Sequence, residues 1–533
     1  MLINPTTNPI PPSTSSKHVT KRNNMRHESL LANIFNKFDN LICSFLDKPL
    51  RPSIDPKHVL SGHCAPVDEL PPTICDVVEG SLPSSLDGAY IRNGPNPQFV
   101  PKGRPLHFFE GDGMLHMIKI SRGKVTFCSR YVKTHKHMSE REAGYPFAIG
   151  VFSSFNGLPA AMARLLLIGA RILSVAIGQY DPENHGSGTA NVSVAMFGGG
   201  LFALCEADIP YQLKVTRNGD IITLGRNRLH TNNNNNKNKD EQPFLRMTAH
   251  PKVDHLTGEA FAYEYDVIRP FLTYFRINSN GRKQKGVPIS DVDGCTVMHD
   301  FCVTENYAIF PDGQIMVKPV WVLSGKPPVG VDFSKVPRLG IIPRYAEDDR
   351  EMWWVDVPGL NMMHCINGWE EEGAIVLVGS NGLVVDQFLE NFRYAELRLE
   401  KITINLDKRT VQRQMYVYAA VTNHTSWVGV VKLDLELANV DGGDCTVASR
   451  LYGPGCNGGE PFFVPREPNN READEDDGYL VTYVYDENTQ ISKFLVMDAK
   501  SPALDIIAAV KLPQRVPDGF HGLFVSESDL TKL

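Results

Sequence analysis

Four histidines of this 533-residue chain stand in apolar or small-residue segments, where an imidazole is able to do chemistry. They are His250, His299, His364 and His521. A buried imidazole is costly unless it is hydrogen-bonded or bound to a metal ion. Neutral imidazoles suit iron, copper and zinc alike, so the residue type alone does not choose the metal. The pattern is compatible with four satisfied core histidines or with one shared metal centre.

A shared centre requires a fold that brings four distant segments to one axis. After Pro71 the chain consists mostly of short alternating or β-branched runs separated by turn residues, including 373–379, 427–433 and 479–485. The 43 glycines and 37 prolines supply many such turns. These features predict an all-β protein with a large closed architecture, and a propeller of four-stranded blades fits the size. No repeat of the WD type is present, so periodicity does not give the number of blades.

Charge and motifs exclude several other function classes. The net charge of −7 is opposite to that of a sequence-independent nucleic-acid binder, so no nucleic-acid partner is expected. The chain contains no GxSxG nucleophile elbow and no GxxxxGK[ST] phosphate loop. The ten cysteines include no CxxC pair, which favours reduced thiols over a zinc ribbon or a redox dithiol.

The N-terminal region differs in composition from the rest. Residues 1–27 contain no Asp or Glu but several Lys and Arg among Ser, Thr, Asn and Pro, which is typical of an organelle transit segment or of a disordered tail. Residues 28–70 are predicted to form an amphipathic helix and a linker, because apolar residues from Leu30 to Leu46 follow one helical face. The main domain is then expected at 71–533.

A second apolar region lies near 143–178 and contains Arg164 and Arg171, two helical turns apart. Such arginines can lie at the level of lipid headgroups with the intervening leucines below them. The alternative is that this helix and the one from Leu30 pack on the protein's own core.

Seven motifs in a fixed order carry a resemblance to a known family. They begin at Gly88, His107, Thr248, His299, Asn367, Gly459 and Phe520, and include the segments GAYIRNGPNP, HFFEGDGMLH and GEPFFVP. The chain resembles the carotenoid cleavage dioxygenases, a family of non-haem iron oxygenases, from about Pro71 to Phe524. The resemblance implies a seven-bladed β-propeller with a helical cap, near 143–178, over the entrance of the active site.

The resemblance also implies roles for individual residues. His250, His299, His364 and His521 match the four ligands of Fe(2+) in this family, and no protein acid or base is implied beyond the metal centre. Glu206 and Glu460 match two carboxylates that accept the other N–H of such histidines and orient their rings. Phe108, Phe109, Phe301, Phe462 and Phe463 are candidates for the wall of a substrate tunnel or for core packing.

The substrates implied by the resemblance are a carotenoid and O2. The chain looks most like the plant plastid type-four subclass, which typically cleaves the 9,10 (9′,10′) bond, and the alternative is a 9-cis-epoxycarotenoid dioxygenase that cleaves at 11,12. A lipid-soluble substrate favours docking of the amphipathic helices on a plastid membrane or plastoglobule surface. A non-catalytic propeller that binds an apocarotenoid is a further alternative.

One departure from the family pattern lies between the third and fourth histidines. Relatives have a longer stretch there, with a further carboxylate partner, whereas here residues 404–418 run directly from one strand into the next. A segment of some tens of residues, enough for a strand or two of a blade, is predicted to be missing. The sequence is then that of a shortened splice form or the product of an imperfect gene model, and we expect this form to bind iron weakly or to fold poorly.

Overall fold

The computed structural model describes most of the chain from residue 30 onward. The described residues are 30–48, 51–99, 105–146, 152, 157–176, 186, 188–229, 244–391, 395–415, 422–423, 426–434, 446–468, 470 and 472–533. The predicted transit or tail segment at 1–27 lies outside them, as does the 416–421 part of the region around the predicted missing segment.

The first blade combines the two ends of the described chain. It consists of β1 (Leu70–Gly80), β2 (Gly88–Arg92), β3 (Met114–Ser121) and β4 (Lys124–Tyr131), together with β32 (Gly522–Ser526). Strand β32 pairs antiparallel with β2, from Gly88 opposite Ser526 to Arg92 opposite Gly522. This pairing closes the ring of blades and fixes the position of His521, which immediately precedes β32.

The next four blades are separate antiparallel sheets whose four strands follow one another in chain order. The second contains β5 (Ser193–Phe197), β6 (Gly200–Leu204), β7 (Tyr211–Val215) and β8 (Ile221–Arg226). The third contains β9 (Lys252–Val253), β10 (Ala260–Tyr265), β11 (Leu272–Ile277) and β12 (Val287–Pro288). The fourth contains β13 (Cys302–Val303), β14 (Tyr307–Asp312), β17 (Arg338–Pro343) and β18 (Trp353–Asp356), with an inserted hairpin of β15 (Ile315–Val317) and β16 (Val329–Val331). The fifth contains β19 (Met362–Glu371), β20 (Ala374–Gly382), β21 (Leu397–Asn405) and β22 (Thr410–Met415).

The described residues of the sixth blade form fewer strands than those of the other blades. After a short hairpin of β23 (Thr422–Asn423) and β24 (Ser426–Trp427), its described residues form one two-stranded sheet of β25 (Gly429–Leu433) and β26 (Thr446–Leu451). The seventh contains β27 (Cys456–Gly458), β28 (Phe462–Pro465), β29 (Gly478–Asp486), β30 (Ile491–Asp498) and β31 (Ile506–Lys511). It joins the first blade because β1 pairs with both β31 and β4. The predicted seven-bladed β-propeller is confirmed.

The core lies between neighbouring blades. Ile91 and Leu115 of the first blade pack in one buried cluster with Leu201 and Leu213 of the second. Every residue of β2 is buried, because sheets of adjacent blades cover both of its faces. Burial on both faces explains why the inner strands have continuous apolar sequences instead of strict alternation.

Helices form a cap outside the sheets. The described helices are α1 (Leu30–Phe45), α2 (Pro56–Val59), α3 (His135–Ala143), α4 (Gly157–Ala176), α5 (Gln387–Glu390) and α6 (Glu527–Leu530), with 3-10 turns at Pro52–Ile54, Gly62–Cys64 and Pro319–Ser324. Helix α1 packs against α4, and α4 contacts the 3-10 turn Pro319–Ser324. The helices predicted from Leu30 and near 143–178 are therefore both present.

The prediction that Arg164 lies at the level of lipid headgroups is wrong. Its side chain is only 6% exposed and makes ion pairs with Asp39 and Asp47 of the α1 segment. Its Nε lies 2.8 Å from Oδ2 of Asp47, and an Nη atom donates to the Cys43 sulfur at 3.1 Å. The spacing of the two arginines did not reveal this because the carboxylates come from a helix more than a hundred residues earlier. Arg164 thus fastens α4 to α1.

Candidate metal centre

The four histidines lie at the inner ends of four different blades. His250 precedes β9, His299 precedes β13, His364 lies in β19 and His521 precedes β32. Each of these strands is at the edge of its sheet, with a single pairing partner. Edge strands at the centre of a propeller face one another across the axis, so the four imidazoles converge although they are far apart in sequence.

The four rings form one compact group. Their centroids are 4.5 Å apart for His250 and His299, 4.7 Å for His250 and His521, and 5.0 Å for His364 and His521. One nitrogen from each ring lies within 4.8 Å of the others. The Nε2 atoms of His250 and His299 are 3.1 Å apart. Two imidazole nitrogens bound to one ion at about 2.1 Å would have this separation, so the donor set fits a metal ion.

Glu206 contacts the ring of His299. The Nδ1 atom of His299 donates to Oε1 of Glu206 at 2.6 Å. Burial on its own raises the pKa of the Glu206 carboxyl, but the neighbouring His299 outweighs burial and lowers the pKa below its usual range. The carboxylate is therefore ionised near neutral pH and leaves Nε2 of His299 free to face the other three rings.

Glu460 makes the equivalent contact with His521. Its Oε1 lies 3.1 Å from Nδ1 of His521, while its Oε2 accepts the backbone N–H of Gly522 at 3.3 Å. Glu460 comes from the seventh blade, between β27 and β28. Burial opposes a charge on His521, but Glu460 outweighs this effect and raises the pKa of the imidazole. Both glutamates that sequence analysis singled out thus contact a histidine of the group.

The ring of His364 also has a carboxylate neighbour, Asp300, which the sequence motifs did not identify as a candidate. Its Nδ1 lies 3.6 Å from Oδ2 of Asp300, and the other oxygen of Asp300 lies 2.7 Å from the ammonium of Lys252. Asp300 and Lys252 each occur within a motif that contains one of the four histidines. Asp300 directly follows His299 and Lys252 lies two residues after His250, and this proximity in sequence could have identified both as neighbours of the metal centre.

Two of the imidazoles are neutral near pH 7. Burial lowers the pKa of His250 well below its usual value, and the neighbouring His299 lowers it further. Burial also lowers the pKa of His364, although Asp300 opposes this effect. A metal ligand must offer an unprotonated nitrogen, so these two rings are ready to bind without losing a proton.

A cavity of about 1810 Å³ opens onto all four imidazoles. Ordinary ligand pockets measure about 300–1,000 Å³, so this one suits a long substrate. Its wall includes Phe108, Phe109 and Phe520, with centroids of Phe108 and Phe520 5.7 Å apart. Pro146 and Phe152, from the segment between α3 and α4, also line the cavity, which places the cap at its side.

The aromatic candidates for the wall divide into two groups. Phe108 and Phe109 line the cavity, which is one of the two alternatives left open by the sequence. Phe301 instead packs in the core against Phe310, with ring centroids 5.5 Å apart. Phe462 packs against Tyr90, and Phe463 is not among the residues of the cavity wall. Phe462 and Phe463 lie in β28 and Phe301 immediately precedes β13, so the packing of their blades decides their environment.

A family model matches most of the chain. The model described as retinal pigment epithelial membrane protein matches residues 64–399 and 387–526. The chain belongs to this family of carotenoid oxygenases. Within the family it is 50% identical over 538 aligned residues to a probable carotenoid cleavage dioxygenase 4, chloroplastic, of Arabidopsis thaliana, with 96% of this chain and 88% of the relative covered.

This carotenoid oxygenase is also similar to a second plant relative and to a bacterial enzyme of known structure. It is 46% identical to the 9-cis-epoxycarotenoid dioxygenase NCED1, chloroplastic, of Oryza sativa subsp. japonica, with 94% of this chain and 81% of the relative covered. The crystal structure of Pseudomonas brassicacearum lignostilbene dioxygenase matches with a TM-score of 0.70 at 22% identity, covering 90% of this chain and 99% of that one. The chloroplastic relatives confirm a plastid protein, and the solved structure confirms the fold.

The family match is interrupted close to the predicted missing segment. Its two parts overlap at 387–399, immediately before the 404–418 stretch. The alignment to the Arabidopsis relative is longer than this whole chain although it covers 96% of it, so the relative has residues without a counterpart here. These two findings support the prediction of a shortened chain.

Proposed function

We propose that this carotenoid oxygenase uses iron(II) to split one C=C bond of a carotenoid with O2. One double bond and one O2 molecule give two carbonyl groups, so the products are apocarotenoid aldehydes or ketones. The observation that carries the proposal is the group of four imidazoles at the wall of a large cavity with aromatic sides. Chromatography of products after incubation of the iron-loaded protein with β-carotene tests it, and intact carotenoid would contradict it.

The metal would be held by His250, His299, His364 and His521. Iron(II), when bound, supplies the centre at which O2 is activated. Glu206 and Glu460 keep Nδ1 of their histidines occupied, which fixes the tautomer and directs Nε2 of each ring toward the ion. Their negative charges also balance part of the charge of an ion held by neutral ligands.

The chain's other task is to hold an extended apolar polyene in one position. Phe108, Phe109 and Phe520 offer ring faces and edges to such a chain, and Val297 and Ile315 add aliphatic surface. Correct placement of the scissile bond contributes to rate because it removes the entropy cost of bringing the reactants together. The walls therefore select which double bond lies beside the histidines.

We infer cleavage at the 9,10 (9′,10′) bond, with a C13 ketone such as β-ionone as one product. The support is the 50% identity to a relative named carotenoid cleavage dioxygenase 4. The second candidate is cleavage of a 9-cis-epoxycarotenoid at 11,12, which the 46% identity to a relative of that name favours. Separate incubations with β-carotene and 9-cis-violaxanthin distinguish them by the chain lengths of the products.

We propose that the cap docks on a plastid membrane or plastoglobule surface. Helix α1 exposes Ile34, Phe38, Leu41 and Phe45, the last with 78% of its surface in solvent. The neighbouring α4 exposes Leu158, Met162, Leu165 and Leu166, and the adjoining 3-10 turn exposes Val320 and Leu323. We call these ten residues the cap patch. A contiguous apolar surface of this kind is typical of proteins that lie on a bilayer.

The mode of attachment would be peripheral. Among the described helices, none combines the length and the apolar character that a membrane crossing requires. A cap patch beside the cavity lets a lipid-soluble substrate pass from the lipid into the protein with little exposure to water.

A non-catalytic apocarotenoid-binding propeller is the candidate from another class. The observation that favours it is that the described residues of the sixth blade form one two-stranded sheet, since a loss of strands would weaken the walls next to the histidines. Metal content separates the two proposals. An enzyme takes up one iron per chain, whereas a binding protein would hold apocarotenoid without it.

A further inference from the structure

Three of the four imidazoles face a carboxylate through Nδ1. Glu206 contacts His299 at 2.6 Å and Glu460 contacts His521 at 3.1 Å. Asp300 approaches His364 at 3.6 Å, which is close but longer than a hydrogen bond. The first two contacts have the expected partners, whereas the third involves a residue that neither the sequence analysis nor the family comparison assigns to a role.

The carboxylate of Asp300 is held in a fixed orientation. Its Oδ1 accepts the backbone N–H of Phe301 at 2.7 Å and lies 2.7 Å from the ammonium of Lys252. Its Oδ2 accepts the backbone N–H of Cys365 at 3.0 Å. Since a carboxylate oxygen has two acceptor positions, Oδ2 retains one for the ring of His364. The side chain is 4% exposed, so water does not compete for it.

The connection to Cys365 ties Asp300 to the strand that carries the ligand. Strand β19 is irregular here, with shifts in its pairing to β20 between Met362 and His364 and between Cys365 and Asn367. These irregularities turn the N–H of Cys365 toward Asp300 while the ring of His364 faces the other histidines. One carboxylate therefore binds the backbone of this segment and lies close to its ring nitrogen.

Lys252 explains why a carboxylate is tolerated at this depth. A buried carboxylate requires a counter-charge, and the ammonium of Lys252 supplies it. The resemblance to the family implies that the further carboxylate partner lies in the segment missing from this chain. Among the residues that the structure describes, Asp300 is the carboxylate recorded against Nδ1 of His364.

We propose that Asp300, with Lys252 as its counter-ion, is the positioning residue that orients His364 for metal binding in this shortened chain. The proposal rests on the metal centre of the proposed function. The negative charge of Asp300, 3.6 Å from Nδ1 of His364, favours the tautomer that carries its proton on Nδ1 and leaves Nε2 unprotonated toward the ion. A metal ligand thereby keeps a partner although the segment that supplies one in relatives is predicted to be missing.

The test compares the metal affinity of three variants with that of the wild-type protein, using Fe(II) under argon and Co(II) as a coloured probe. D300N/K252M removes the carboxylate and its cation together, so that no ammonium remains unpaired. K252M removes only the cation and leaves the carboxylate facing His364. The matched control is E400Q/R413M, which removes another buried carboxylate and its arginine, 2.7 Å apart, away from the histidines.

We expect D300N/K252M to lose about tenfold or more in Fe(II) affinity, because partners of ligand histidines have effects of this size. K252M should lose less affinity than D300N/K252M because the carboxylate stays beside His364, the control should keep wild-type affinity, and the visible spectrum of the Co(II) form should change most in D300N/K252M. A merely structural ion pair predicts equal losses in D300N/K252M and K252M, and this result would overturn the proposal. Wild-type affinity in D300N/K252M would do the same.

Two further results distinguish a failure of this proposal from a failure of folding and from a failure of the proposed function. If D300N/K252M does not fold, D300N decides, since wild-type affinity in that variant overturns the proposal and a loss of about tenfold with a changed Co(II) spectrum supports it. Wild-type protein that binds Fe(II) but cleaves no carotenoid would refute the proposed function and leave the role of Asp300 intact. Wild-type protein that binds no metal would overturn both.

Discussion

His299 donates a hydrogen bond from Nδ1 to Oε1 of Glu206 across 2.6 Å. This contact joins Glu206, in the second blade, to the histidine that immediately precedes the fourth blade. The glutamate follows β6 and the histidine precedes β13, so the hydrogen bond requires the second and fourth blades to be assembled around the same axis. The contact thus links the fold to the chemistry of the metal centre.

We expect E206Q to lower the affinity for Fe(II) by about 10–100-fold, because the amide no longer supplies a negative acceptor for Nδ1–H. Titration of the apoprotein with Fe(II) measures the effect. The matched control is E487Q, which removes a glutamate 3.1 Å from Nδ1 of His63, a histidine outside the group of four. Equal affinities for E206Q and E487Q would contradict the role of Glu206.

A second prediction concerns stability against pH. Burial, together with the charge of Arg51, lowers the pKa of His107 to about 3. Below about pH 6.5 the unfolded chain takes up a proton at His107 and the folded protein does not, so stability falls with falling pH until about pH 3. At pH 5 the loss from this residue is about 2 kcal/mol relative to pH 7.

The variant H107F should remove this contribution, because its ring carries no proton and keeps the contacts with Phe109 and Phe152. Urea unfolding of wild type and H107F at pH 7 and pH 5 measures the difference. The prediction is wrong if both proteins lose the same free energy of unfolding between the two pH values.

The cap patch gives the third prediction. F38E/L166E places two charges on adjacent cap helices where 55% and 70% of the wild-type side chains are exposed. Because a charge resists transfer into lipid, the fraction of protein that sediments with vesicles of plastid lipids should fall. L256E, at an exposed leucine on the third blade, is the control, and a similar loss with this variant would refute docking through the cap.

The predicted missing segment yields the fourth prediction. A chain in which the segment between 404 and 418 is restored from a relative should have a full sixth blade, a higher melting temperature and a higher iron content than the present chain. The restored chain would gain strand pairing and buried apolar surface in the sixth blade, and both would stabilise the walls around the histidines. Equal iron content and equal activity in the two chains would show that the shortening has no consequence.

The ligand group was accessible from the sequence because each histidine lies in a distinct motif and the family order identifies them together. The contact between Asp300 and His364 was not, since it depends on local irregularities in β19 that no residue pattern specifies. Ion pairs between elements that are distant in sequence, such as Arg164 with Asp39, could not be predicted either, because they depend on how the two helices pack. Helical periodicity gives the face of a helix but not the charges of its neighbour.

The aromatic residues show a different limit. Phe108 and Phe301 have similar apolar surroundings in sequence, yet the first lines the cavity and the second is fully buried beside Phe310. Strand alternation determines which side of a sheet a residue occupies, but the position of the cavity depends on how seven sheets are arranged around the axis. The fold class follows from local patterns, and the walls of the site follow only from the assembled propeller.

The most direct test of the central claim is incubation of the iron-loaded protein with a carotenoid under 18O2, followed by mass spectrometry of the products. The account predicts one labelled oxygen atom in each of the two carbonyl products, after correction for exchange of carbonyl oxygen with water. H364A, which removes one of the four imidazoles, should give no product. Cleavage products of the wild-type protein that carry no label from 18O2 would contradict the account.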